Sequence, residues 1–469
     1  MTGFFPRFVT AALRGGAGKT TLSLGMIAAW KRLGRKVAAF KKGPDFIDSA
    51  WLSLAAQRPC RNLDTFLQGP QIVQQSFGRN AESLGVSLIE GNRGLFDGMD
   101  SRGTHSTAEL AKLLQAPVVL VLDCNKVTRT LAAMVLGCQK LDPQVKIRGV
   151  ILNQVATGRQ ERVLRASIED SCHLPVLGAM PRLDDFPFPE RHLGLTPPQE
   201  HQWVSRALEK AAEAALKYLD LEEIWKMSQS APPFRWERGE ERERSKLGSS
   251  LQPVIGIVKD SAFQFYYPEN LRALVERGAK LFEISAVREK QLPEVDALYI
   301  GGGFPETHAE QLADNLSFRR SLREGIENGL PVYAECGGLM YLGENLNLGD
   351  RNYPMAGALP VTFSMEKRPQ GHGYTLLEVE RENPFYSPGQ ILKGHEFHYS
   401  RVLSLKEDQV YFVFRVKRGA GIKDQKDGMG YKNVLATYSH VHALGCEEWA
   451  DGLIHRAVER KTAAPAAVV

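Results

Sequence analysis

Short apolar runs alternate with longer segments of helical period over the first 225 residues of the chain. The apolar runs predict five strands, at residues 8–13, 37–41, 86–90, 117–123 and 147–153. Residues 20–33 have the spacing of an amphipathic helix, and Gly34 follows them as a C-terminal cap. This alternation favours a parallel sheet with helices on both faces.

A second α/β pattern begins at Pro253, with strands predicted at residues 254–258, 297–300 and 331–335 and a helix at residues 267–277. Between the two patterns, nine of the twelve residues 235–246 are charged, which is typical of an exposed linker. We therefore predict four segments: a first domain at 1–225, a charged linker at 226–252, a second domain at 253–450, and a C-terminal helix end and tail at 451–469.

Composition narrows the class of protein. A length of 469 residues is too great for a single core, and 43% hydrophobic with 24% charged residues is ordinary for a soluble globular protein. A net charge of +5 does not indicate nucleic acid, and no apolar run approaches the roughly 18 residues of a membrane span. The six cysteines lack paired or metal-binding spacing, so we expect a reducing, cytoplasmic location.

The segment after the first predicted strand has the composition of a phosphate-binding loop. It reads Arg14-Gly15-Gly16-Ala17-Gly18-Lys19-Thr20-Thr21. Backbone N–H groups at the start of a helix would hold the phosphates of ATP, Lys19 would add a charge, and Thr20 would offer a hydroxyl to Mg²⁺. The strict pattern has glycine where Leu13 stands, so the loop is similar to the deviant form, with Arg14 in the place of its first lysine.

Acidic residues follow the predicted second and third strands, where ligands of a parallel sheet gather. Asp45 and Asp48 lie just beyond the second strand, and Glu90 ends the third as a Mg²⁺-binding carboxylate would. Asn153 ends the fifth strand and is a candidate to contact adenine. The alternatives are that Asp45 and Asn153 are turn residues and that Glu90 is an exposed strand end.

A candidate nucleophile lies far downstream. Cys336 follows the apolar residues 331–335 and precedes Gly337 and Gly338, a sequence typical of a tight strand-to-helix turn. There we expect an exposed sulfur whose pKa is lowered by the helix N-terminus. Gly302 and Gly303, at the end of a neighbouring strand, would form an oxyanion hole with Gly337. The alternative is a buried core cysteine.

The nucleophile also needs a base. His440 and His442 lie close to the end of the second domain and are the candidates. The residues alone do not choose between them.

Taken together, these residues resemble the cobyrinic acid a,c-diamide synthase family over essentially the whole chain. The most specific similarities are at residues 42–48, 61–64, 90–98, 190–195, 265–270 and 394–400. The resemblance implies an α/β architecture of two domains. A dethiobiotin-synthetase-like P-loop ATPase with a parallel sheet precedes a cobalamin-type class I glutamine amidotransferase domain of flavodoxin-like fold.

The resemblance also implies a reaction. ATP phosphorylates a peripheral carboxylate of a tetrapyrrole, and ammonia from glutamine displaces phosphate to leave an amide, first at one and then at the other of the a and c side chains. Cys336 matches the glutaminase nucleophile and His440 the histidine that activates it. Asp45 and Glu90 are implied, with Thr20, to hold Mg²⁺, and Asp48 and Asp97 to serve carboxylate activation.

Two departures from the usual pattern leave roles open. Arg14 begins a loop that is usually serine-rich in the family, and His442 stands where many class I amidotransferases have glutamate. A two-residue Cys–His site, with or without help from His442, is therefore plausible.

Alternatives also remain for the substrate and for the class of protein. Cobyrinate is the expected substrate, and nickel-sirohydrochlorin or sirohaem are the alternatives. A different class, the partitioning and insertion-type switch ATPases, shares the deviant loop. We expect no nucleic-acid or membrane partner, and a monomer or homodimer.

Overall fold

The computed structural model describes residues 1–182, 190–191, 194–195, 198, 203–237 and 252–463. Two compact units divide the chain, Met1–Glu240 and Glu241–Val469. Residues 238–251 of the predicted linker and the tail from residue 464 lie outside the described residues. The family motif at 190–195 is described only as the backbone of two short antiparallel strands, Glu190–Arg191 and Gly194–Leu195.

A seven-stranded, entirely parallel sheet forms the centre of the first unit. In order across the sheet, its strands are Arg61–Leu63, Val37–Lys42, Val86–Glu90, Arg7–Ala12, Val118–Asp123, Ile147–Val155 and Val176–Pro181. All five strands predicted for this unit are confirmed to within two residues at each end. The two that the sequence pattern missed are the edge strands, one only three residues long and the other interrupted by Gly178.

Helices cover both faces of this sheet. They are Lys19–Arg32, Ile47–Ala56, Pro70–Asn80, Thr107–Leu113, Thr130–Leu141, Gly158–Cys172, Val204–Tyr218 and Leu221–Gln229. Separate apolar cores lie on the two faces, because the strands bury side chains in both directions. Gly25 lets the helix Lys19–Arg32 approach Val204–Tyr218 closely, since a Cβ there would lie 2.8 Å from the carbonyl oxygen of Ala211.

The second unit is built on a ten-stranded mixed sheet. In order across the sheet, its strands are Lys280–Ile284, Val254–Val258, Ala297–Ile300, Val332–Glu335, Val434–Thr437, Lys426–Tyr431, Tyr411–Arg418, Gly371–Val379, Ile391–His398 and His440–Val441. The first five are parallel and have the 2-1-3-4-5 order of the flavodoxin-like fold. The remaining strands extend the sheet in antiparallel pairs.

Helices and smaller sheets complete this unit. The α-helices are Pro268–Glu276, Ala309–Asp314, Leu316–Glu327, Gly337–Leu342 and Glu447–Ala463. A short sheet pairs Phe263–Phe265 with Gly302–Gly303. A four-stranded sheet contains Arg351–Pro354, Asn345–Leu348, Val361–Met365 and Ser400–Leu405.

The predicted α/β fold class is confirmed in both units, and in the second unit so are the predicted strands at 254–258, 297–300 and 331–335 and the predicted helix at 267–277. None of the helices in the described part of the chain combines the length and the apolar character needed to cross a membrane.

Candidate functional site

The phosphate loop joins the strand Arg7–Ala12 to the helix Lys19–Arg32. Gly16 and Gly18 have φ angles of 69° and 87°, in the left-handed region that glycine enters without strain. Gly18 also packs so closely on the Asn153 side chain that a Cβ there would overlap the amide nitrogen. The helix therefore begins at Lys19 with backbone N–H groups directed toward the loop, as an anion site requires.

Lys19 is held by a second loop that lies over the first. Its Nζ donates to the carbonyl oxygen of Arg93 at 2.7 Å and to that of Arg14 at 3.4 Å. Burial, together with the positive charge of Lys41, lowers the pKa of Lys19 to about 8. Asp97 is exposed in this covering loop, where its Oδ2 accepts a hydrogen bond from the Gly94 N–H at 2.8 Å.

Three charged side chains and a hydroxyl meet beside the phosphate loop. Thr20 Oγ1 donates to Glu90 Oε1 at 2.8 Å and approaches Asp48 Oδ2 at 3.3 Å. Lys41 Nζ lies 2.5 Å from the same Asp48 oxygen and 2.6 Å from the same Glu90 oxygen. This arrangement is a compact cluster of one ammonium and two carboxylates, in which the lysine and the glutamate come from the carboxyl ends of adjacent parallel strands.

Burial and pairing act in opposite directions on the pKa values in this cluster. Burial raises the pKa of Glu90. Burial alone would also raise the pKa of Asp48, but the charge of Lys41 and hydrogen bonds lower it. Burial disfavours the ammonium of Lys41, yet Asp48 and Glu90 raise its pKa well above the ordinary value, so the lysine remains charged.

Asp45, also predicted to bind metal, lies next to Asp48 and interacts with its side chain. Its Oδ1 accepts the backbone N–H of Asp48 at 2.8 Å, at the start of the helix Ile47–Ala56. Burial and the charge of Asp48 raise the pKa of Asp45 to about 7. Asp48, which the resemblance implied to serve carboxylate activation, is the aspartate that contacts Thr20.

Lys41 was missed as a site residue, although a lysine at the end of an otherwise apolar strand was a visible signal.

Other residues predicted for the nucleotide site lie around the same loop. Asn153 donates from Nδ2 to the carbonyl oxygen of Ala17 at 2.9 Å, so its amide supports the loop, and contact with adenine stays a prediction. Arg14 is exposed and forms an ion pair with Asp123. Gly15 is exposed in the loop, and Thr21 lies in the first turn of the helix.

In the second unit, Cys336 occupies a sharp turn between the strand Val332–Glu335 and the helix Gly337–Leu342. Its φ and ψ angles are 48° and −101°, a strained conformation for a residue with a side chain. The Cys336 N–H donates to the Thr437 carbonyl oxygen at 2.7 Å and fixes the turn to the next strand. A Cβ at Gly338 would lie 2.5 Å from the carbonyl oxygen of Ile300, so glycine is required there.

The expectation of an exposed thiol with a lowered pKa is wrong. Cys336 is only 6% exposed, and burial, with the negative charge of Glu306, raises its pKa to about 12. Desolvation disfavours thiolate more strongly than the short helix stabilises it. The thiol is therefore neutral at rest and requires a base during reaction. All six cysteines are free.

Two of the three predicted oxyanion-hole glycines lie together. Gly303 N is 3.0 Å and Gly303 O is 3.2 Å from the position that a Cβ on Gly337 would occupy. Gly302 instead lies against His440, because a Cβ there would be 2.5 Å from the ring carbon Cε1 and 3.2 Å from Nε2. Gly303 and Gly337 are thus the neighbouring pair, and Gly302 makes room for the candidate base.

The two candidate histidines have different surroundings. His440 Nδ1 lies 3.1 Å from Glu335 Oε2, and its ring stacks on that of His395 with centroids 5.0 Å apart. His442 packs on the ring of Tyr267 with centroids 4.5 Å apart, and its Nε2 lies 3.8 Å from Glu269. Only His440 borders Gly302. Sequence reasoning missed Glu335, whose signal was an acid ending a buried apolar strand.

Comparisons with known proteins agree with this two-part organisation. Residues 8–195 match the family model of the CobQ/CobB/MinD/ParA nucleotide binding domain. Residues 254–447 match that of the CobB/CobQ-like glutamine amidotransferase domain. The two matches contain the phosphate loop and the Cys336 turn, respectively.

Curated relatives align over nearly the whole chain. A cobyrinate a,c-diamide synthase of Magnetococcus marinus is 43% identical over 95% of this chain and 96% of its own length. Those of Archaeoglobus fulgidus and Methanothermobacter thermautotrophicus are each 39% identical over 97% of this chain, and over 98% and 100% of their own. The predicted resemblance is confirmed, and the chain belongs to the cobyrinate a,c-diamide synthase family.

Proposed function

We propose that the protein is a glutamine-hydrolysing ligase that converts the a and c carboxylates of cobyrinate to amides, with one ATP used for each. The observation that carries the proposal is the presence, in one chain, of a phosphate loop with its acidic cluster and of a cysteine turn whose preceding residue, Glu335, contacts His440. The names of relatives that are 39% to 43% identical over nearly the full length support this substrate.

Activation of the carboxylate belongs to the first unit. An oxygen of the substrate carboxylate attacks the γ-phosphorus of ATP, the bond to the β-phosphate oxygen breaks, and ADP leaves with an acyl phosphate formed. Lys19 and the N–H groups of the phosphate loop bind the charge of the phosphates. Ammonia then attacks the acyl carbon, and phosphate leaves as the amide forms.

Mg²⁺ is the expected companion of ATP, and the acidic cluster fits it. Within the described residues no three His, Cys, Asp or Glu side chains could hold a metal together, but Mg²⁺ commonly takes one or two carboxylates with phosphate and water. Glu90 Oε2 is buried with no hydrogen-bond partner, which supports an additional ligand there. Thr20, Asp48 and Glu90 would hold the ion, which would neutralise developing phosphate charge. We name Asp48 in place of Asp45 because Asp48 Oδ2 lies 3.3 Å from Thr20 Oγ1.

Release of ammonia belongs to the second unit. The Cys336 sulfur attacks the side-chain carbonyl of glutamine while His440 takes the thiol proton, and the N–H groups of Gly303 and Gly337 would stabilise the oxyanion. The C–N bond breaks, His440 returns the proton to the departing ammonia, and water hydrolyses the thioester to glutamate. A neutral resting thiol suits this sequence, because the proton leaves only when a substrate is present.

The proposal is tested with the full-length protein, ATP and glutamine labelled with ¹⁵N in the amide. Cobyrinate, hydrogenobyrinate, nickel-sirohydrochlorin and sirohaem are each supplied, and products are read by mass for every amide gained. We expect two labelled amides on cobyrinate. If the enzyme prefers nickel-sirohydrochlorin or sirohaem, the assigned substrate changes and the assigned chemistry stays. If none of the four is amidated and ATP hydrolysis is driven by DNA or a partner protein, the proposal is overturned in favour of a switch ATPase.

The division of labour is tested with Cys336→Ala. We expect this variant to lose synthesis from glutamine and to retain synthesis from ammonium salts, because the thiol serves only to release ammonia. Loss of both activities in a folded variant would contradict the assignment.

The free cysteines support action in the cytoplasm, and a monomer or homodimer without nucleic-acid or membrane partners remains our expectation.

A further inference from the structure

The residue that orients the candidate base is not in the expected place. Many class I amidotransferases have a glutamate two residues after the active histidine, and this chain has His442 there. The His442 ring packs on Tyr267 and lies near Glu269. Histidine does not replace a carboxylate in this role, since an imidazole carries no negative charge to stabilise the imidazolium that forms on the base.

A carboxylate reaches His440 from another strand. Glu335 Oε2 lies 3.1 Å from His440 Nδ1, and the two side chains are 1% and 3% exposed. Tyr299 donates its hydroxyl proton to the same oxygen at 3.0 Å, and the Val441 N–H donates to Glu335 Oε1 at 3.2 Å. Both oxygens therefore accept hydrogen bonds in fixed directions, and the carboxylate cannot rotate without losing them.

This contact determines which ring nitrogen carries the proton. An ionised carboxylate only accepts hydrogen bonds, so Nδ1 of neutral His440 must be the donor and Nε2 the acceptor. The Nε2 edge is the one beside Gly302, 3.2 Å from the position of a Cβ there. The stacked ring of His395 limits rotation of His440 about its own axis.

We propose that Glu335 is the positioning residue of the glutaminase site, the third member of a Cys336–His440–Glu335 arrangement in which the acid immediately precedes the nucleophile in sequence. It holds His440 in the tautomer that can accept the thiol proton and stabilises the imidazolium formed when it does. The inference rests on the proposed glutaminase role of Cys336 and His440.

A purely structural role for Glu335 predicts a different result. Its bonds to Tyr299 and the Val441 N–H also join neighbouring strands, so removing the carboxylate could loosen the sheet. Loosening would weaken glutamine binding and folding together. Loss of the correct tautomer would instead reduce turnover while leaving glutamine binding in place.

The experiment compares glutamine hydrolysis by the full-length wild type, Glu335→Gln, Glu335→Asp and Glu283→Gln. Gln has nearly the same shape as Glu but can donate to Nδ1 and favour the wrong tautomer. For Glu335→Gln we expect kcat to fall about 10²- to 10⁴-fold with KM for glutamine within about threefold of wild type. Glu335→Asp should recover part of the loss. Glu283→Gln, the matched control, makes the same chemical change at an exposed glutamate of the same sheet and should stay within about threefold of wild-type kcat.

The outcomes are separable. If the wild type itself releases no ammonia from glutamine, the proposed function fails. If the wild type is active and Glu335→Gln retains more than about a tenth of its kcat, or loses kcat only in step with a higher KM, the positioning role is overturned. Should Glu335→Gln fail to fold by circular dichroism, Glu335→Asp decides: a kcat lowered more than about threefold, with KM within about threefold of wild type, supports the role, and any other result overturns it.

Discussion

The two candidate sites differ in the charge state of their buried ionisable groups. Beside the phosphate loop, an ammonium and two carboxylates are buried together and remain paired, with Lys41 between Asp48 and Glu90. In the second unit, burial raises the pKa of Cys336 to about 12 and lowers that of His395 well below its ordinary value, so both groups are neutral. A charged site suits a triphosphate, and a neutral resting thiol suits a reaction at the uncharged amide of glutamine.

The difference also concerns how each site is held. In the first unit, side chains from the ends of two strands and the starts of two helices meet, and backbone carbonyls hold Lys19. In the second, the strained Cys336 turn is fixed by backbone bonds and by glycines that leave no room for a Cβ. We infer that the first site tolerates side-chain movement during turnover, whereas the second depends on rigid packing.

The largest expected effect follows from removing charge in the first site. Lys19→Ala and Glu90→Gln should each lower amidation about 10³-fold with either glutamine or ammonium, because the first removes a charge that balances phosphate and the second removes a proposed ligand of Mg²⁺. Glutamine hydrolysis should persist. Product formation measured by mass with both nitrogen sources checks this, with Lys36→Ala, an exposed lysine of the same unit, as the control. Near-normal turnover by Glu90→Gln would place the metal elsewhere.

Rigid packing in the second site is tested by Gly302→Ala. The added methyl would lie 2.5 Å from His440 Cε1, so the ring must move and glutamine hydrolysis should fall about 100-fold. Synthesis from ammonium should be unchanged. Gly325→Ala is the matched control, because its Cβ would meet the flexible end of Leu292 at 3.3 Å and that of Leu330 at an ordinary contact distance of 3.5 Å. An active Gly302→Ala enzyme would show that this site adapts as readily as the first.

Neutrality of the thiol is tested by the pH dependence of its alkylation. A pKa of about 12 keeps Cys336 protonated, so its rate of reaction with iodoacetamide should rise about tenfold between pH 8.5 and 9.5. An ordinary thiol would gain less than about twofold over that interval. The Cys336 peptide is quantified by mass spectrometry in the absence of glutamine. A plateau below pH 9 would mean that the resting site holds thiolate.

The smallest expected effect concerns Asp427, buried beneath the strand that leads to His440. Burial, with the charge of Glu396, raises its pKa from 3.8 to about 6. Ionised Asp427 therefore costs stability at pH 7, and the cost declines as pH falls through 6 because the folded state takes up the proton first. Asp427→Asn can retain the bonds from the Gly428 and Tyr438 N–H groups and should be at least as stable at pH 7.

The measurement compares urea midpoints of wild type and Asp427→Asn at pH 7 and pH 5. The wild type should gain about 1 kcal/mol relative to the variant on going to pH 5, since other groups titrate equally in both proteins. A difference that does not change with pH would mean that Asp427 has the same pKa folded and unfolded.

Much of the first site could be predicted from sequence because its residues lie in contiguous motifs. The phosphate loop directly follows the strand Arg7–Ala12, and Glu90 ends the strand that pairs with it in the sheet. The choice between Asp45 and Asp48 could not be predicted. Both belong to one motif, and which one reaches Thr20 depends on the start of the helix Ile47–Ala56, a boundary that apolar periodicity does not fix.

Less of the second site could be predicted from the sequence, because its contacts join residues on different strands of the sheet. The Cys336 turn was visible in the chain, but Glu335 and His440 are 105 residues apart and meet only through strand pairing. Burial of the thiol was also hidden, since side chains distant in sequence, such as Tyr438, surround it. Local motifs predict where a turn occurs, and they do not predict how much solvent reaches it.

The backbone angle at Cys336 has a consequence for how this enzyme persists in a population. A φ of 48° with ψ of −101° is comfortable only for glycine, and Cys336→Gly would relieve about 1–3 kcal/mol of strain. That relief roughly offsets the greater freedom of the unfolded chain and the lost packing. A lineage that loses its thiol this way would keep a folded, abundant protein, which proteases would spare. Purifying selection at this position therefore acts on the activity of the enzyme and not on its folding stability.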